Sequence, residues 1–416
     1  MKDLKGACIF GQSGGPTSVI NASAAGVFIQ ALKEENITAV YGAAHGIKGI
    51  LREDFYDMSR EDPGQFELMK TTPSSALGSV RYKLKNPDVD DSDYKRILEV
   101  FKKYDIRYFF YNGGNDSMDT TNKISKFLQK SGFDCNVIGV PKTIDNDLFG
   151  TDHCPGYGSA ARYVATTLME LYHDARVYDT PMITVVEIMG RNAGWLTAAS
   201  ALASYKGAGP DLIYLPEIPF TMEKFLSDVR KVFEKTGKVI VAFSEGCKDL
   251  EGNYIAEMDS ELAKDAFGHA QLGGAAAVLA ERAREEFGCK VRGIEFSLMQ
   301  RCAAHLGSLT DVEEAFAAGC EAVRAAVSGI TDHMVAFERT YVDGLYNCSM
   351  KLVNLSLCAN TEKTVPREWI NEEGNFINDE FIKYAMPLIQ GNSHPPYVDG
   401  LPRFAKLRKV QAGKNK

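Results

Sequence analysis

Val140-Pro141-Lys142-Thr143-Ile144-Asp145-Asn146-Asp147-Leu148 follows the apolar run Asn136-Val137-Ile138-Gly139-Val140. A short apolar run closed by proline reads as a buried parallel strand, and open α/β sheets keep their ligands beyond the carboxyl ends of such strands. Asp145 and Asp147 stand at i and i+2, so they share one side of an extended segment. In a cavity shielded from water their repulsion favours a bound cation or raises one of the two carboxyls, and either suits a general base. Lys142 adds a mobile point charge of the kind used for phosphate. A solvated acidic turn is the plain alternative.

On the amino-terminal side, Leu4 to Phe10 reads as a strand entering Gly11-Gln12-Ser13-Gly14-Gly15-Pro16-Thr17 and then a helix. That order aims backbone N–H groups and a helix N-terminus at phosphate. It is neither G-x-G-x-x-G nor a G-x-x-x-x-G-K-[ST] loop, and a simple βα turn would use the same glycines. A second strand, Ile37 to Tyr41, leads through a long polar segment to a hydroxyl-rich loop, Thr71 to Lys83, whose Arg81 and Lys83 suit phosphate. The strand Arg107 to Tyr111 delivers Asn112-Gly113-Gly114-Asn115-Asp116-Ser117 at the start of another helix. Asp116 and Ser117 there are either helix caps or oxygen ligands for Mg²⁺.

On the carboxyl side the alternation continues. The strand Met182 to Ile188 ends at Met189-Gly190-Arg191-Asn192-Ala193-Gly194-Trp195, and Lys238 to Phe243 ends at Ser244-Glu245-Gly246. Helices are expected over 159–175, 222–233, 272–287 and 311–327, with strands at 211–215, 290–296 and 333–338. Strands alternating with helices imply an α/β fold with largely parallel sheets covered on both faces.

With 416 residues, 45% hydrophobic and 25% charged, the chain is long enough for two domains. A net charge of −8 sets up no overall field for nucleic acid or an acidic membrane, so an anionic small molecule must be met by locally placed cations. Nine cysteines without a C-x-x-C pair read as buried thiols of a reducing compartment. No leader-like or membrane-length apolar run is evident, and a cytoplasmic protein is expected. The basic end, Lys406 to Lys416, reads as a frayed, solvated tail.

The glycine turns, the T-I-D-N-D turn, Met189-Gly190-Arg191 and Glu245-Gly246, in this order and each at a strand end, resemble the phosphofructokinase family over roughly residues 4 to 340. The resemblance implies two Rossmann-like lobes. A phosphoryl-donor lobe would take residues 1–156 plus about 300–345, and a sugar-phosphate lobe residues 157–299 plus about 346–416. It implies transfer to the C1 hydroxyl of fructose 6-phosphate, with Asp145 taking the proton and Thr143, Ile144 and Asp147 beside it. Lys142, Asp116 and Arg191 join Asp145 as catalytic residues. Met189, Gly190, Arg191, Glu245 and Arg301 would hold the sugar phosphate, and Gly14, Arg81, Gly114 and Lys142 the donor.

Two positions bear on the donor. ATP-using relatives carry G-G-D-G-S where this chain has Gly113-Gly114-Asn115-Asp116-Ser117, and glycine where it has Lys142. Asp116 in place of the last glycine would crowd and repel a nucleotide, whereas Lys142 supplies charge to a smaller donor, so the chain resembles the pyrophosphate-dependent branch. Mg²⁺ is the implied cofactor, with Asn115 and Asp116 near it, and the implied state is a homodimer or homotetramer. An ATP-dependent kinase, sedoheptulose 7-phosphate as acceptor, and a silent sugar-phosphate-binding subunit are the alternatives. Two departures touch the sugar: Leu298 replaces a polar residue before Gln300-Arg301, and Met182 stands where ATP-dependent relatives have an arginine reaching the 6-phosphate across a subunit contact.

Overall fold

The computed structural model describes residues 4–258, 273–358 and 361–413. The first half supplies strands β1 (Gly6–Gln12), β2 (Ile37–Ala43), β3 (Phe55–Asp57), β4 (Ile106–Gly113) and β5 (Asn136–Pro141). The second supplies β6 (Met182–Ile188), β7 (Leu212–Tyr214), β8 (Lys238–Ser244) and β9 (Lys290–Glu295). A two-residue β10 (Gly307–Ser308) precedes the long pair β11 (His333–Val342) and β12 (Leu345–Asn354). Apart from β10, they form a larger sheet in the order β12-β11-β5-β4-β1-β2-β3 and a smaller one, β7-β8-β6-β9.

The expected parallel α/β architecture is what forms. Strands β2, β1, β4 and β5 pair in parallel, as do all four strands of the smaller sheet. Every residue of β1 and β6 is buried, as helices on both faces require. Thr221 caps the helix Met222–Thr236, and Ser308 caps Leu309–Val327, each side chain accepting a first-turn N–H. Helix Ala275–Phe287 falls within the expected 272–287; Leu272 lies outside the described residues.

Three expectations need correction. The polar segment after β2 holds helices Ile47–Arg52 and Pro63–Met69 with β3 between them. These elements are too short for a clear periodicity, yet they bury Ile47, Ile50, Phe55, Phe66 and Met69. Residues 346–416 do not gather with the smaller sheet as a block. β12 pairs antiparallel with β11 over ten residues at the edge of the larger sheet, while Ile370, Phe381 and Leu388 pack with Trp195 and Leu196 on the other side. Nor is the basic end frayed through residue 413: the Asp57 N–H donates to Val410 O, and the Glu61 carboxylate accepts from the N–H groups of Arg408 and Lys409 at 2.7 Å each.

Candidate active site

β5, β4 and β1 lie side by side in parallel, so their carboxyl-end turns arrive together. The turn after β1 carries Gly14 at φ +75°, a left-handed conformation natural to glycine, and the Gly14 N–H donates to Val80 O at 3.1 Å. That bond draws the Arg81 loop over the turn. A Cβ on Gly15 would come within 2.8 Å of the Arg301 guanidinium, so the glycine admits the arginine to the site. After β4, Gly114 caps the helix Asn115–Lys130, and neither Asp116 nor Ser117 serves as its cap. Asp116 therefore stands in the first turn facing the cavity.

The Pro141 to Leu148 stretch crosses this group. The Lys142 N–H donates to Gly113 O at 3.0 Å, and its Nζ reaches Gly15 O at 2.6 Å, leaving the side chain only 4% exposed. The Asp145 N–H donates to Thr143 Oγ1 at 3.1 Å. Between them and the next aspartate, Asn146 takes φ +57°, and its side chain accepts from the Cys154 N–H and donates to the Tyr384 hydroxyl. The two aspartates are thus presented by a left-handed residue whose own side chain is tied down. Ile144 turns the other way, into the core of the smaller sheet.

The smaller sheet contributes from the facing side. β6 is followed by Met189, whose N–H donates to Gln300 Oε1, and Gly190 at φ +139° donates its N–H to Glu245 Oε1, both at 3.2 Å. Gly246 lies so close to the Arg191 carbonyl that a Cβ would meet it at 2.1 Å. Met182 begins β6, buried at the end remote from this turn, and Leu298 is exposed beside the Gln300 segment.

One cavity of about 530 Å³ opens among these turns. Gly14, Arg81, Gly114, Asn115, Asp116, Lys142, Thr143, Asp145, Asp147 and Arg191 line it. Glu245 and Arg301 adjoin it closely enough to act electrostatically on Asp145 or to be acted on by it. Lys83, Ser117, Asn192 and Glu362 also line the cavity. The sequence already points to Lys83 and Ser117, and Asn192 directly follows Arg191, so adjacency could have found it. Glu362 carries no sequence signal, because it comes from the segment that lacks a motif.

Burial sets the charge states. It lowers the Lys142 ammonium to about 8, with Arg301 and Arg81 adding repulsion and Asp145 opposing. Burial raises the Asp145 carboxyl, against the pull of Arg191, Lys142 and Arg301. Asp147 is pushed up to about 7 by burial, then by Asp145 and Glu362, and Glu245 to about 7 by burial and Asp145. Burial also lowers Arg81 and Arg301, and Arg81 further faces Arg191 and Arg301. A site with this many cations suits an anion, and its raised carboxyls suit proton transfer.

The oxygen ligands of a hard cation are also present. Asn115 Nδ2 donates to Asp147 Oδ2 at 3.0 Å, whereas its Oδ1 is buried with no hydrogen-bond partner among the described residues. Asn115 and Asp116 thus fit the oxygen chemistry of Mg²⁺.

Residues 8–294 match the family model described as phosphofructokinase. The chain is 42% identical to pyrophosphate–fructose 6-phosphate 1-phosphotransferase of Halomonas elongata, over 96% of each chain. It is 42% identical to the protein of the same name from Xanthomonas campestris pv. campestris, over 98% of each. Its fold matches the crystal structure of pyrophosphate-dependent phosphofructokinase from Nitrosospira multiformis with a TM-score of 0.89, 39% identity and 99% coverage of both chains. No helix among the described residues is long and apolar enough to cross a membrane.

Proposed function

This chain belongs to the phosphofructokinase family, and from that membership we propose that it transfers a phosphoryl group reversibly from pyrophosphate to the C1 hydroxyl of fructose 6-phosphate. The observation that carries the reading is the gathering, in one cavity lined by cations and carboxylates, of buried Lys142, Asp145 three residues on, and Asp116 in the first turn of helix Asn115–Lys130. Asp145 takes the hydroxyl proton as the C1 oxygen attacks phosphorus. The bridging P–O bond breaks, and phosphate leaves with the electron pair. Lys142, Arg81 and the N–H groups of the Gly14 and Gly114 turns neutralise the donor and its departing charge, and Arg191 faces the transferred group. Met189, Gly190, Glu245 and Arg301 hold the sugar phosphate, with Thr143 beside its reacting end.

Bound Mg²⁺, held by Asn115, Asp116 and the donor's own oxygens, would supply charge neutralisation on pyrophosphate. We further propose a cytoplasmic homodimer or homotetramer; a monomer in light scattering at enzymatic concentration would contradict that assembly. Asp145→Asn keeps shape and removes the base, so kcat should drop about 10²- to 10⁴-fold while fructose 6-phosphate still binds. Calorimetric binding with undiminished turnover would remove Asp145 from this role.

A further inference from the structure

Residues 361–365 touch both turns that face each other across the cavity. Toward the acidic turn, Glu362 forms an antiparallel bridge with Leu148, and the Lys363 N–H donates to Asp147 O at 2.8 Å. The Lys363 ammonium then donates to the carbonyls of Thr151 and Asp152 at 3.2 and 2.6 Å, and lies 5.0 Å from the centre of the Trp195 ring. Toward the turn after β6, Asn192 Nδ2 donates to Glu362 Oε1 at 2.6 Å, and Trp195 Nε1 donates to Lys363 O at 2.8 Å. Glu217 Oε1 accepts at 2.9 Å from the N–H groups of both Gly194 and Val365. The segment is therefore bonded on one side to a turn of the larger sheet and on the other to a turn of the smaller.

Glu362 is exposed, and its carboxylate borders a cavity that Arg81, Lys83, Lys142 and Arg191 line together with Asp116, Asp145 and Asp147. Its charge opposes the binding of an anionic donor, so direct donor recognition does not explain it. Its hydrogen bond is to Asn192, the residue next to Arg191. We propose that residues 361–365 clasp the two turns together, and that Glu362 is a positioning residue which, through Asn192, holds Arg191 opposite Asp145. A displacement of about 1 Å at a reacting centre costs on the order of 10²-fold in rate, whereas an exposed hydrogen-bonded side chain contributes little to global stability. Loss of the clasp should therefore appear in kcat before it appears in the melting temperature.

The proposal rests on the phosphotransferase reading, and its test has an arm that does not. In Glu362→Ala, hydrogen exchange of the Met189–Trp195 amides should quicken, and Glu362→Gln, which retains the acceptor oxygen, should restore it. With pyrophosphate and fructose 6-phosphate, Glu362→Ala should lose about tenfold in kcat with KM for pyrophosphate and melting temperature little changed. Asn192→Ala should lose a similar amount, the double variant no more than either alone, and Glu362→Gln should recover most of the rate. Unchanged exchange in Glu362→Ala, a kcat within about twofold of wild type, or additive losses in the double variant would each overturn the clasp. Absence of turnover in the wild type would strike the phosphotransferase reading alone, leaving the exchange comparison to judge the clasp.

Discussion

At the residue scale, the acidic turn sets the pH dependence. As the proposed base, Asp145 must be ionised to accept a proton, and burial holds its carboxyl above the ordinary range, so activity should rise with pH through that raised value. In the proposed donor-binding role Lys142 must stay charged, and burial lowers it to about 8, so activity should fall again near there. The free-enzyme profile of kcat/KM should thus be a bell. Lys142→Arg keeps the charge at all accessible pH, so the alkaline limb should vanish, at a lower rate because the short contact with Gly15 is lost. A limb that survives in this variant would assign the alkaline step to another group. Donor choice is also argued from single residues: Asp116→Gly with Lys142→Gly should weaken use of pyrophosphate and admit ATP, measured as the ratio of kcat/KM values for the two donors. The parts of the site that lie within strand-end motifs were legible because glycine, paired acids and cations recur at the tips of apolar runs. Glu362 was not, since a lone glutamate in a segment without periodicity meets the cavity only through tertiary packing.

At the element scale, helices Ile20–Ala31 and Leu309–Val327 approach through two glycines. A Cβ on Gly26 would meet Phe316 O at 2.1 Å, and one on Gly319 would meet Ser23 O at 2.1 Å. Gly26→Ala and Gly319→Ala should each destabilise by about 1–3 kcal/mol, seen as a lower urea midpoint with an unchanged slope. An unshifted midpoint would show that the helices separate freely. Strands of five or more apolar residues, and helices of three or more turns, were readable from pattern. The helices Ile47–Arg52 and Pro63–Met69 were not, because so few turns leave little period to detect, and β12 mixes exposed and half-buried residues as an edge strand does.

At the scale of the whole molecule, a buried ionic group joins the segment behind the acidic turn to later parts of the chain. His153 shares Nδ1 with Asp152 Oδ1 at 2.9 Å and Nε2 with Glu314 Oε2 at 2.6 Å; Tyr346 donates to Glu314, and Arg339 to Asp152. Burial alone would lower the imidazole, but the two carboxylates carry it above its ordinary value. A group raised on folding contributes stability that is complete below its unfolded value of about 6.5 and is lost as pH climbs through the raised one. The melting temperature should therefore decline above neutrality, and His153→Gln should be less stable at pH 6 by about 3 kcal/mol with a flatter pH profile. A profile as steep as wild type would assign the decline elsewhere. Apart from the His153–Asp152 contact between neighbours, these ties were not legible in sequence, because each joins residues far apart along the chain.

The claim that binds these scales together is the donor reading of Lys142 and Asp116. It is tested most directly by following fructose 1,6-bisphosphate formation from fructose 6-phosphate and Mg²⁺ with pyrophosphate in one reaction and ATP in another. Product with pyrophosphate alone is the expected result; product with ATP alone would contradict it.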